Sequence, residues 1–429
     1  MSRINRRDFM RLVGGAGAAS ALGVLGHVPV ARGKSGGQVV VIGGGFGGAT
    51  CAKYLRKADP GIAVTLVERD PRFITCPFSN LVLGGLRTMD SITHGYDALR
   101  TRHGVNVVKD EVTAIDPVGK KVTLKSGKTL KYDRLVVSPG IDFKWGAIKG
   151  YDPKAAQVMP HAWKAGPQTV LLRKQLEAMK DGGTFILATP PNPFRCPPGP
   201  YERVSMVAHY LKASKPKSKI LILDNNDKFS KQGLFQKGWE ELYPGMVEWV
   251  AGSKGGVVKA VDTKTMIVKG ELDDHKGAVV NIIPAQTAGQ LAIKAGLTNE
   301  TGWCPVDPKT FESTIHPGVH VIGDSSIAGE LPKSGFAANS EAKICANAIV
   351  AMFRGDSVAD ASYVNTCYSL LAPDYGISVA AVYRVTDKGI TSVEGAGGVS
   401  PADASRGFRQ DEAKYAVGWY QSITADIWA

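Results

Sequence analysis

The six cysteines of this 429-residue chain lack the spacings that bind metal or haem. No two of them form a C-x-x-C pair, and no cysteine–histidine cluster has the spacing of a zinc site. A C-x-x-C-H segment, which would attach a c-type haem, is also missing. The sequence therefore predicts no metal site and no haem in this chain.

Long apolar stretches are absent after residue 31, since no later run approaches the roughly 20 residues of a membrane-spanning helix. We therefore predict no integral membrane segment in the mature chain. Hydrophobic residues make up 44% and charged residues 21% of the sequence, which excludes a disordered or fibrous protein. At roughly 150 residues per domain, the length predicts two or three domains.

The formal net charge is +13, but no nucleic-acid motif accompanies it. The lysines are dispersed, and their densest group, between residues 212 and 219, precedes an apolar strand pattern. This group is interpreted as a solvated loop, and we expect no nucleic-acid partner.

The N-terminus has the three parts of a bacterial export signal. The pair Arg6-Arg7 is followed by an uncharged, Gly- and Ala-rich stretch over residues 12–25 and by small residues near position 31. We predict a Tat signal peptide over residues 1–31 and a periplasmic protein, in a compartment where disulfides persist.

A glycine-rich turn follows the first predicted strand, Gln38–Ile42. Gly43, Gly45 and Gly48 form G-x-G-x-x-G before a predicted helix, and Glu68 ends the next strand pattern 20 residues after Gly48. Such a turn lets backbone amides approach a pyrophosphate, and such an acidic residue binds a ribose. This region predicts a dinucleotide site.

Two later segments resemble parts of the glutathione-reductase-like flavoproteins, which contain two dinucleotide domains. Residues 129–140 end in the small-residue turn at Gly140, and residues 313–324 end in Gly323-Asp324. The resemblance implies an α/β fold of this class with a C-terminal interface domain, and it implies FAD bound by Asp324. A predicted helix over residues 337–350 would direct its N-terminus towards the flavin.

The second dinucleotide domain lacks the expected glycine-rich turn. Its first predicted strand, Thr184–Ala188, leads into a segment with six prolines between residues 190 and 200. Because proline has no N–H to donate, this turn is unsuited to holding a pyrophosphate. The sequence therefore predicts that NAD(P)H is not the reductant.

These patterns predict the following domain order: signal peptide 1–31, FAD-binding domain 36–155 and 291–355, second dinucleotide-like domain 156–290 and C-terminal domain 356–429.

The contexts of three cysteines resemble the flavoprotein subunit of flavocytochrome c sulfide dehydrogenase. They are the segment 73–80 around Cys76, the proline-rich turn around Cys196 and the segment 363–383 around Cys367. The C-terminal stretch 418–428 also fits that family. The resemblance implies sulfide oxidation to sulfur or polysulfide, with electrons passing from FAD to a separate c-type cytochrome subunit.

The resemblance also implies roles for individual residues. Cys76 matches a cysteine that binds FAD covalently, although an ordinary loop cysteine would fit the same pattern. Asn80 and Lys333 are candidate cofactor-binding residues in the same family contexts, with a solvated lysine as the alternative for Lys333.

Cys196 and Cys367 match a redox-active disulfide, for which a purely structural disulfide is the alternative. Glu202 matches a candidate base, although a carboxylate at a helix start can simply favour the helix dipole. Cys51, Cys304 and Cys345 are interpreted as packing residues.

The sequence is also compatible with two other functions. One is a sulfide:quinone oxidoreductase of the same fold, which the polar C-terminal segment disfavours because such an enzyme needs an apolar membrane-binding surface. The other is a non-enzymatic flavoprotein that activates a sulfur-oxidising complex.

Overall fold

A computed structural model describes residues 36–429 of the chain. The predicted signal peptide, residues 1–31, lies outside the described residues.

The strands, numbered in chain order, are β1 Gln38–Ile42, β2 Ala63–Glu68, β3 Phe73–Ile74, β4 Thr93–His94, β5 Asn106–Lys109, β6 Val112–Asp116, β7 Lys121–Leu124, β8 Thr129–Lys131, β9 Arg134–Val137, β10 Ile141–Phe143, β11 Thr184–Ala188, β12 Lys219–Leu223, β13 Val247–Val250, β14 Ala260–Asp262, β15 Ile267–Lys269, β16 Asp274–Lys276, β17 Val279–Ile282, β18 Gln286–Ala288, β19 Cys304–Pro305, β20 Val319–Val321, β21 Ser326–Ile327, β22 Ser362–Ala372, β23 Tyr375–Thr386 and β24 Gly389–Val399.

The α-helices are α1 Phe46–Ala58, α2 Ser79–Leu83, α3 Asp97–Thr101, α4 Pro167–Ala178, α5 Gly199–Ser214, α6 Gln232–Leu242, α7 Gln290–Lys294, α8 Gly335–Arg354 and α9 Arg406–Trp428. Short 3-10 turns lie at Asp90–Ile92, Ala155–Gln157, Gly252–Lys254 and Gly323–Ser325.

The first domain is built on a five-stranded parallel sheet in the order β20-β9-β1-β2-β5. Its central strands are apolar on both faces, as expected for a parallel sheet covered on both sides. The helices α1 and α8 pack together against one face, so the chain before residue 143 and the chain after residue 303 form one domain.

The glycine-rich turn brings α1 very close to β1. Gly43 has a φ of +96°, a left-handed conformation that favours glycine. A Cβ at Gly48 would overlap the carbonyl oxygen of Gly43 and lie 3.3 Å from the side chain of Val41. The structure therefore supplies the close helix–strand packing for which the sequence motif predicts a glycine.

The second domain contains a four-stranded parallel sheet in the order β13-β12-β11-β17. The proline-rich segment follows β11 and leads into α5. Asp224 directly follows β12, where a dinucleotide site would present its ribose-binding carboxylate. This carboxylate is fully buried and accepts hydrogen bonds from Thr189 Oγ1 (2.6 Å), Tyr201 Oη (2.6 Å) and Trp249 Nε1 (2.8 Å).

The C-terminal region is an antiparallel sheet, β22-β23-β24, against which the long helix α9 packs. Contacts from β22 to α5, α6 and α8 attach this sheet to both dinucleotide domains. Between residues 36 and 429, no helix is both long and apolar enough to cross a membrane.

Replacing Gly48 by alanine tests the packing of α1 on β1. Because the added methyl group meets backbone rather than a flexible side chain, we expect the free energy of unfolding to fall by about 1–3 kcal/mol or more. Thermal unfolding measures this change. Gly233→Ala is the matched control, since its Cβ would meet nothing within 4 Å, and equal stability of the two variants would contradict the packing argument.

The carboxylate of Asp224 already accepts hydrogen bonds from three protein side chains, so we do not expect it to bind the ribose of a nicotinamide cofactor. Neither NADH nor NADPH should bleach the absorbance of the bound flavin under anaerobic conditions, whereas dithionite should bleach it fully. Rapid bleaching by either nucleotide would show that the second domain still binds a nicotinamide cofactor.

Candidate functional site

The glycine-rich turn forms one end of the candidate site. Both oxygens of Glu68 accept backbone hydrogen bonds, from Gly44 N at 2.7 Å and from Asp70 N at 2.9 Å. The buried hydroxyl of Tyr96 lies beside Gly44 and has no hydrogen-bond partner in the part of the chain that the structure describes. This end of the site thus has an acidic group and a free hydroxyl beside a helix N-terminus, a suitable arrangement for an adenosine diphosphate.

Cys76 lies in the loop between β3 and α2, beneath the C-terminal helix α9. Tyr420 of α9 stacks on Phe78 with ring centroids 4.3 Å apart, and its hydroxyl lies 2.8 Å from Thr75 Oγ1. Trp428 stacks on Phe73 at 5.3 Å. The C-terminal domain therefore fixes the segment that carries Cys76.

Arg195 connects Cys76 with the Gly-Asp turn. The carbonyl oxygen of Trp163 accepts hydrogen bonds from Cys76 Sγ at 3.4 Å and from the Arg195 guanidinium. Arg195 Nη1 also lies 4.0 Å from Asp324 Oδ2, and Arg195 N donates to Gln286 Oε1 at 2.9 Å. These five residues line one continuous polar surface.

Within residues 36–429, four buried polar atoms on this surface have no hydrogen-bond partner: Trp163 Nε1, Arg195 Nε, Gln286 Nε2 and Asp324 Oδ1. Buried polar groups in proteins are nearly always paired, so such a concentration indicates a polar ligand. An FAD with its isoalloxazine ring near Cys76 and its ribityl chain near Asp324 fits these donors and this acceptor. The residues present are therefore suited to the cofactor that the sequence predicts.

Lys333 is held by the Gly-Asp turn rather than being solvated. Its ammonium donates to the carbonyl oxygens of Asp324 at 3.0 Å and Ser326 at 2.7 Å, and it lies 4.0 Å from the ring centroid of Trp303. The backbone oxygen of Lys333 accepts from Cys196 N at 2.7 Å. Lys333 thus connects the predicted ribityl site to the cysteine pair.

A short chain of hydrogen bonds joins Cys196 to Cys367. Ser334, which follows Lys333 and caps α8, donates from Oγ to Asn365 Oδ1 at 2.6 Å. Asn365 Nδ2 in turn lies 3.5 Å from Cys367 Sγ. The two cysteines, far apart in sequence, therefore lie in one buried cluster, in which a negative charge on Cys367 raises the pKa of Cys196. All six cysteines of this structure are thiols, so the disulfide itself stays a prediction.

Glu202, in the first turn of α5, belongs to the same cluster, since its negative charge raises the pKa of both cysteines. One carboxylate oxygen accepts from Leu370 N of β22 at 3.2 Å, and the other accepts from Asn80 Nδ2 of α2 at 3.1 Å. Burial raises the pKa of Glu202, and these two hydrogen bonds oppose the rise. A carboxyl group with a raised pKa beside two cysteines is suited to exchanging protons with a sulfur species.

Asn80 contacts the start of α5. Its amide nitrogen also lies 3.3 Å from Gly199 O, and its oxygen accepts from Arg203 Nε at 3.1 Å. Because its donor and its acceptor are both used by α5, the side chain positions Glu202 and Arg203. A contact of Asn80 with the cofactor stays a prediction.

Lys231, just before α6, is a buried cation next to Cys367. Its ammonium donates to Cys367 O at 3.1 Å and to Ser369 Oγ at 2.8 Å. Burial lowers the pKa of Lys231 to about 8, although the negative charges of Cys367 and Glu202 oppose this shift. The lysine is therefore mainly protonated at neutral pH and places a positive charge beside the cluster of Cys196, Cys367 and Glu202.

Sequence reasoning missed Lys231, Arg195 and Arg203. Arg195 directly precedes Cys196 in the proline-rich turn, so the sequence could have indicated that it lies in the site. Arg203 is 2% exposed and donates to the carbonyl oxygens of His161 and Ala162, a role that no local pattern indicates.

The remaining cysteines lie in the core. Cys51, Cys304 and Cys345 are completely buried, and Cys51 contacts Cys345 between α1 and α8. Their burial agrees with the packing role expected from the sequence.

Comparison with known protein families covers most of the described chain. A model described as sulfide dehydrogenase [flavocytochrome c] flavoprotein chain, central, matches residues 169–284. The flavin-binding model of flavocytochrome c sulphide dehydrogenase matches residues 359–428, and the pyridine nucleotide-disulphide oxidoreductase model matches residues 37–165.

Among individual relatives, the sulfide dehydrogenase [flavocytochrome c] flavoprotein chain of Chlorobaculum thiosulfatiphilum is 71% identical over 45 residues, which are 10% of this chain and 94% of that sequence. The mitochondrial sulfide:quinone oxidoreductase of Mus musculus is 22% identical over 324 residues, covering 70% of this chain and 67% of the relative.

Two solved structures show the same fold. The sulfide:quinone oxidoreductase of Aquifex aeolicus superposes with a TM-score of 0.72 at 17% identity, covering 91% of this chain and 92% of the other. A putidaredoxin reductase–putidaredoxin complex gives a TM-score of 0.65 at 17% identity, covering 91% and 93%. The chain has the two-dinucleotide-domain flavoprotein fold and belongs to the family of flavocytochrome c sulfide dehydrogenase flavoprotein chains.

Proposed function

We propose that this chain is a periplasmic, FAD-dependent enzyme that oxidises sulfide to sulfur or polysulfide and delivers the electrons to a c-type cytochrome subunit. The observation that carries the proposal is the single buried cluster of Cys196, Cys367 and Glu202, next to the polar surface at Cys76 and Arg195. Family membership supports both the substrate and the cofactor.

The cofactor would be held by residues of both ends of the site. The glycine-rich turn and Glu68 would hold the adenosine diphosphate, Asp324 the ribityl chain, and Cys76 the flavin ring through a covalent thioether. A bound FAD supplies two-electron acceptance and one-electron release. The covalent bond at Cys76 would prevent loss of the cofactor outside the cytoplasm.

The cysteine pair would act as the entry point for sulfide. With Cys196 and Cys367 joined as a disulfide, HS⁻ attacks one sulfur, a new S–S bond forms and the old S–S bond breaks. The bonding electron pair stays on the second sulfur as a thiolate, so one cysteine becomes a persulfide. Glu202 can accept the proton that the persulfide releases, because its raised pKa makes its carboxylate a stronger base than an exposed one.

A separate cytochrome is required by the proposal because the sequence contains no haem-attachment motif. The predicted signal peptide contributes four arginines and one aspartate, or +3, so about +10 of the formal +13 remains on the mature chain. This positive charge is suited to attracting HS⁻ or an acidic surface of a cytochrome.

Sulfide:quinone oxidation is the second candidate, because relatives with that name share the fold. The C-terminal helix disfavours it here. Its buried residues Tyr420, Ile423, Ile427 and Trp428 pack against the domain that carries Cys76, and its other face carries polar residues.

The test of the proposal is purification of the native protein from the periplasm, with flavin and haem spectra and a sulfide-dependent assay. We expect flavin and haem to co-purify and sulfide to reduce the cytochrome catalytically. Full flavin content without sulfide-dependent turnover, even with the co-purified cytochrome, would contradict the enzymatic proposal and favour a non-enzymatic activator. Turnover with quinone alone would favour the quinone enzyme.

Replacing Cys76 by alanine tests the covalent bond to the flavin. We expect the parent protein to keep its yellow colour in an acid-precipitated pellet, whereas the variant releases its flavin into the supernatant. Cys51→Ala is the control and should behave like the parent. Release of flavin from the parent as well would show that the cofactor is not covalently bound.

Replacing Cys367 by serine tests the redox role of the pair. Without the disulfide, sulfide has no sulfur to attack, so we expect flavin reduction to slow by about 100-fold or more, as for loss of a covalent catalytic group. Anaerobic stopped-flow absorbance measures the rate, with Cys345→Ala as the control. Unchanged kinetics in the serine variant would make the disulfide purely structural.

A further inference from the structure

The two cysteine sulfurs have different surroundings. Cys367 lies in β22, where the Lys231 ammonium donates to its backbone oxygen at 3.1 Å and the amide nitrogen of Asn365 lies 3.5 Å from its Sγ. Among residues 36–429, the Sγ of Cys196 has no comparable hydrogen-bond donor. A negative charge is therefore stabilised more at Cys367 than at Cys196.

The electrostatics of the two thiols point the same way. Burial raises the pKa of both, but at Cys367 the positive charge of Lys231 and hydrogen bonds from Asn365 and Ser334 oppose the rise. At Cys196 a negative charge on Cys367 raises the pKa further, and Arg195 is the main opposing charge. The negative charge of Glu202 raises the pKa of both thiols.

Helix α5 begins in tight contact with Cys196. A Cβ at Gly199 would lie 2.7 Å from the ring of Trp163 and 3.0 Å from Cys196 Sγ, so only a glycine fits at this position. The close packing fixes Cys196 against the start of α5.

We propose that Lys231 is a positioning residue that makes Cys367 the departing sulfur and thereby directs sulfide to Cys196. This inference rests on the proposed function, since it assumes the Cys196–Cys367 disulfide. HS⁻ forms a bond to Cys196 Sγ, the Cys196–Cys367 bond breaks, and its electron pair remains on Cys367 Sγ. The products are a persulfide on Cys196 and a thiolate on Cys367, and no further oxidant is needed.

The chemistry of disulfide exchange explains why Lys231 would have this effect. The thiol with the lower pKa is the better leaving group, so the sulfur whose thiolate is stabilised departs. An opposite charge within a few ångströms shifts a pKa by about 1–3 units, which corresponds to about tenfold or more in the partition between the two sulfurs.

The first experiment locates the persulfide. The native holoprotein is mixed anaerobically with one equivalent of sulfide, quenched with an alkylating agent and analysed by peptide mass spectrometry. We expect the additional sulfur atom on the peptide of Cys196. Its presence on the peptide of Cys367 would overturn this inference and leave the proposed function intact. A persulfide on neither cysteine would overturn both.

The second experiment compares variants of Lys231. In the fully reduced holoprotein at pH 7, iodoacetamide should alkylate Cys367 about tenfold or more faster than Cys196. Lys231→Met should slow alkylation of Cys367 about tenfold without changing that of Cys196, and Lys231→Arg should restore the preference. The exposed Lys228 gives the matched control, Lys228→Met, which should behave like the parent.

A purely structural role for Lys231 predicts a different pattern. Loss of local structure would change the alkylation of both cysteines, and the arginine variant would not restore selectivity. That result, or an unchanged preference in Lys231→Met, would overturn the inference. The flavin absorbance spectrum of each variant reports whether the fold is retained.

Discussion

The structure of the site depends on the hydrogen bonds that stabilise the buried carboxylate of Glu202 next to Cys196 and Cys367. A carboxylate removed from water is costly unless it accepts hydrogen bonds, and Glu202 obtains them from Asn80 of α2 and from the backbone of β22. These bonds tie α5 to a segment of the first domain and to the C-terminal sheet. Cys196, which precedes α5, and Cys367, which lies in β22, are consequently held in one place.

The two dinucleotide domains have diverged in the use of equivalent positions. In the first domain the turn at Gly43 remains open, and unpartnered polar groups such as Asp324 Oδ1 face the site. In the second domain the carboxylate of Asp224 accepts hydrogen bonds from Thr189, Tyr201 and Trp249. The second domain therefore supplies a scaffold for Cys196 and Glu202 in place of a nucleotide site.

Short apolar runs in the sequence predicted strands, because such runs can be recognised from neighbouring residues alone. The strands Gln38–Ile42 and Thr184–Ala188 lie where the apolar runs indicate. The proposed pairing of Cys196 with Cys367 rests on resemblance to a family, because spacing cannot show which distant segments meet. Lys231 was unpredictable for the same reason, since only the packing of the residues before α6 on β22 gives its charge a function. The contacts of Asn80 with α5 were equally unpredictable, since they join segments that are far apart in the sequence.

The proposed function depends on a disulfide between Cys196 and Cys367 that reacts with sulfide. Peptide mass mapping without reductant, on protein purified from the periplasm under conditions that block thiol exchange, detects this bond. We expect one cross-linked peptide containing both cysteines, which disappears after one equivalent of sulfide is added anaerobically. Recovery of both cysteines as free thiols before sulfide is added, or a cross-link that resists sulfide, would contradict it.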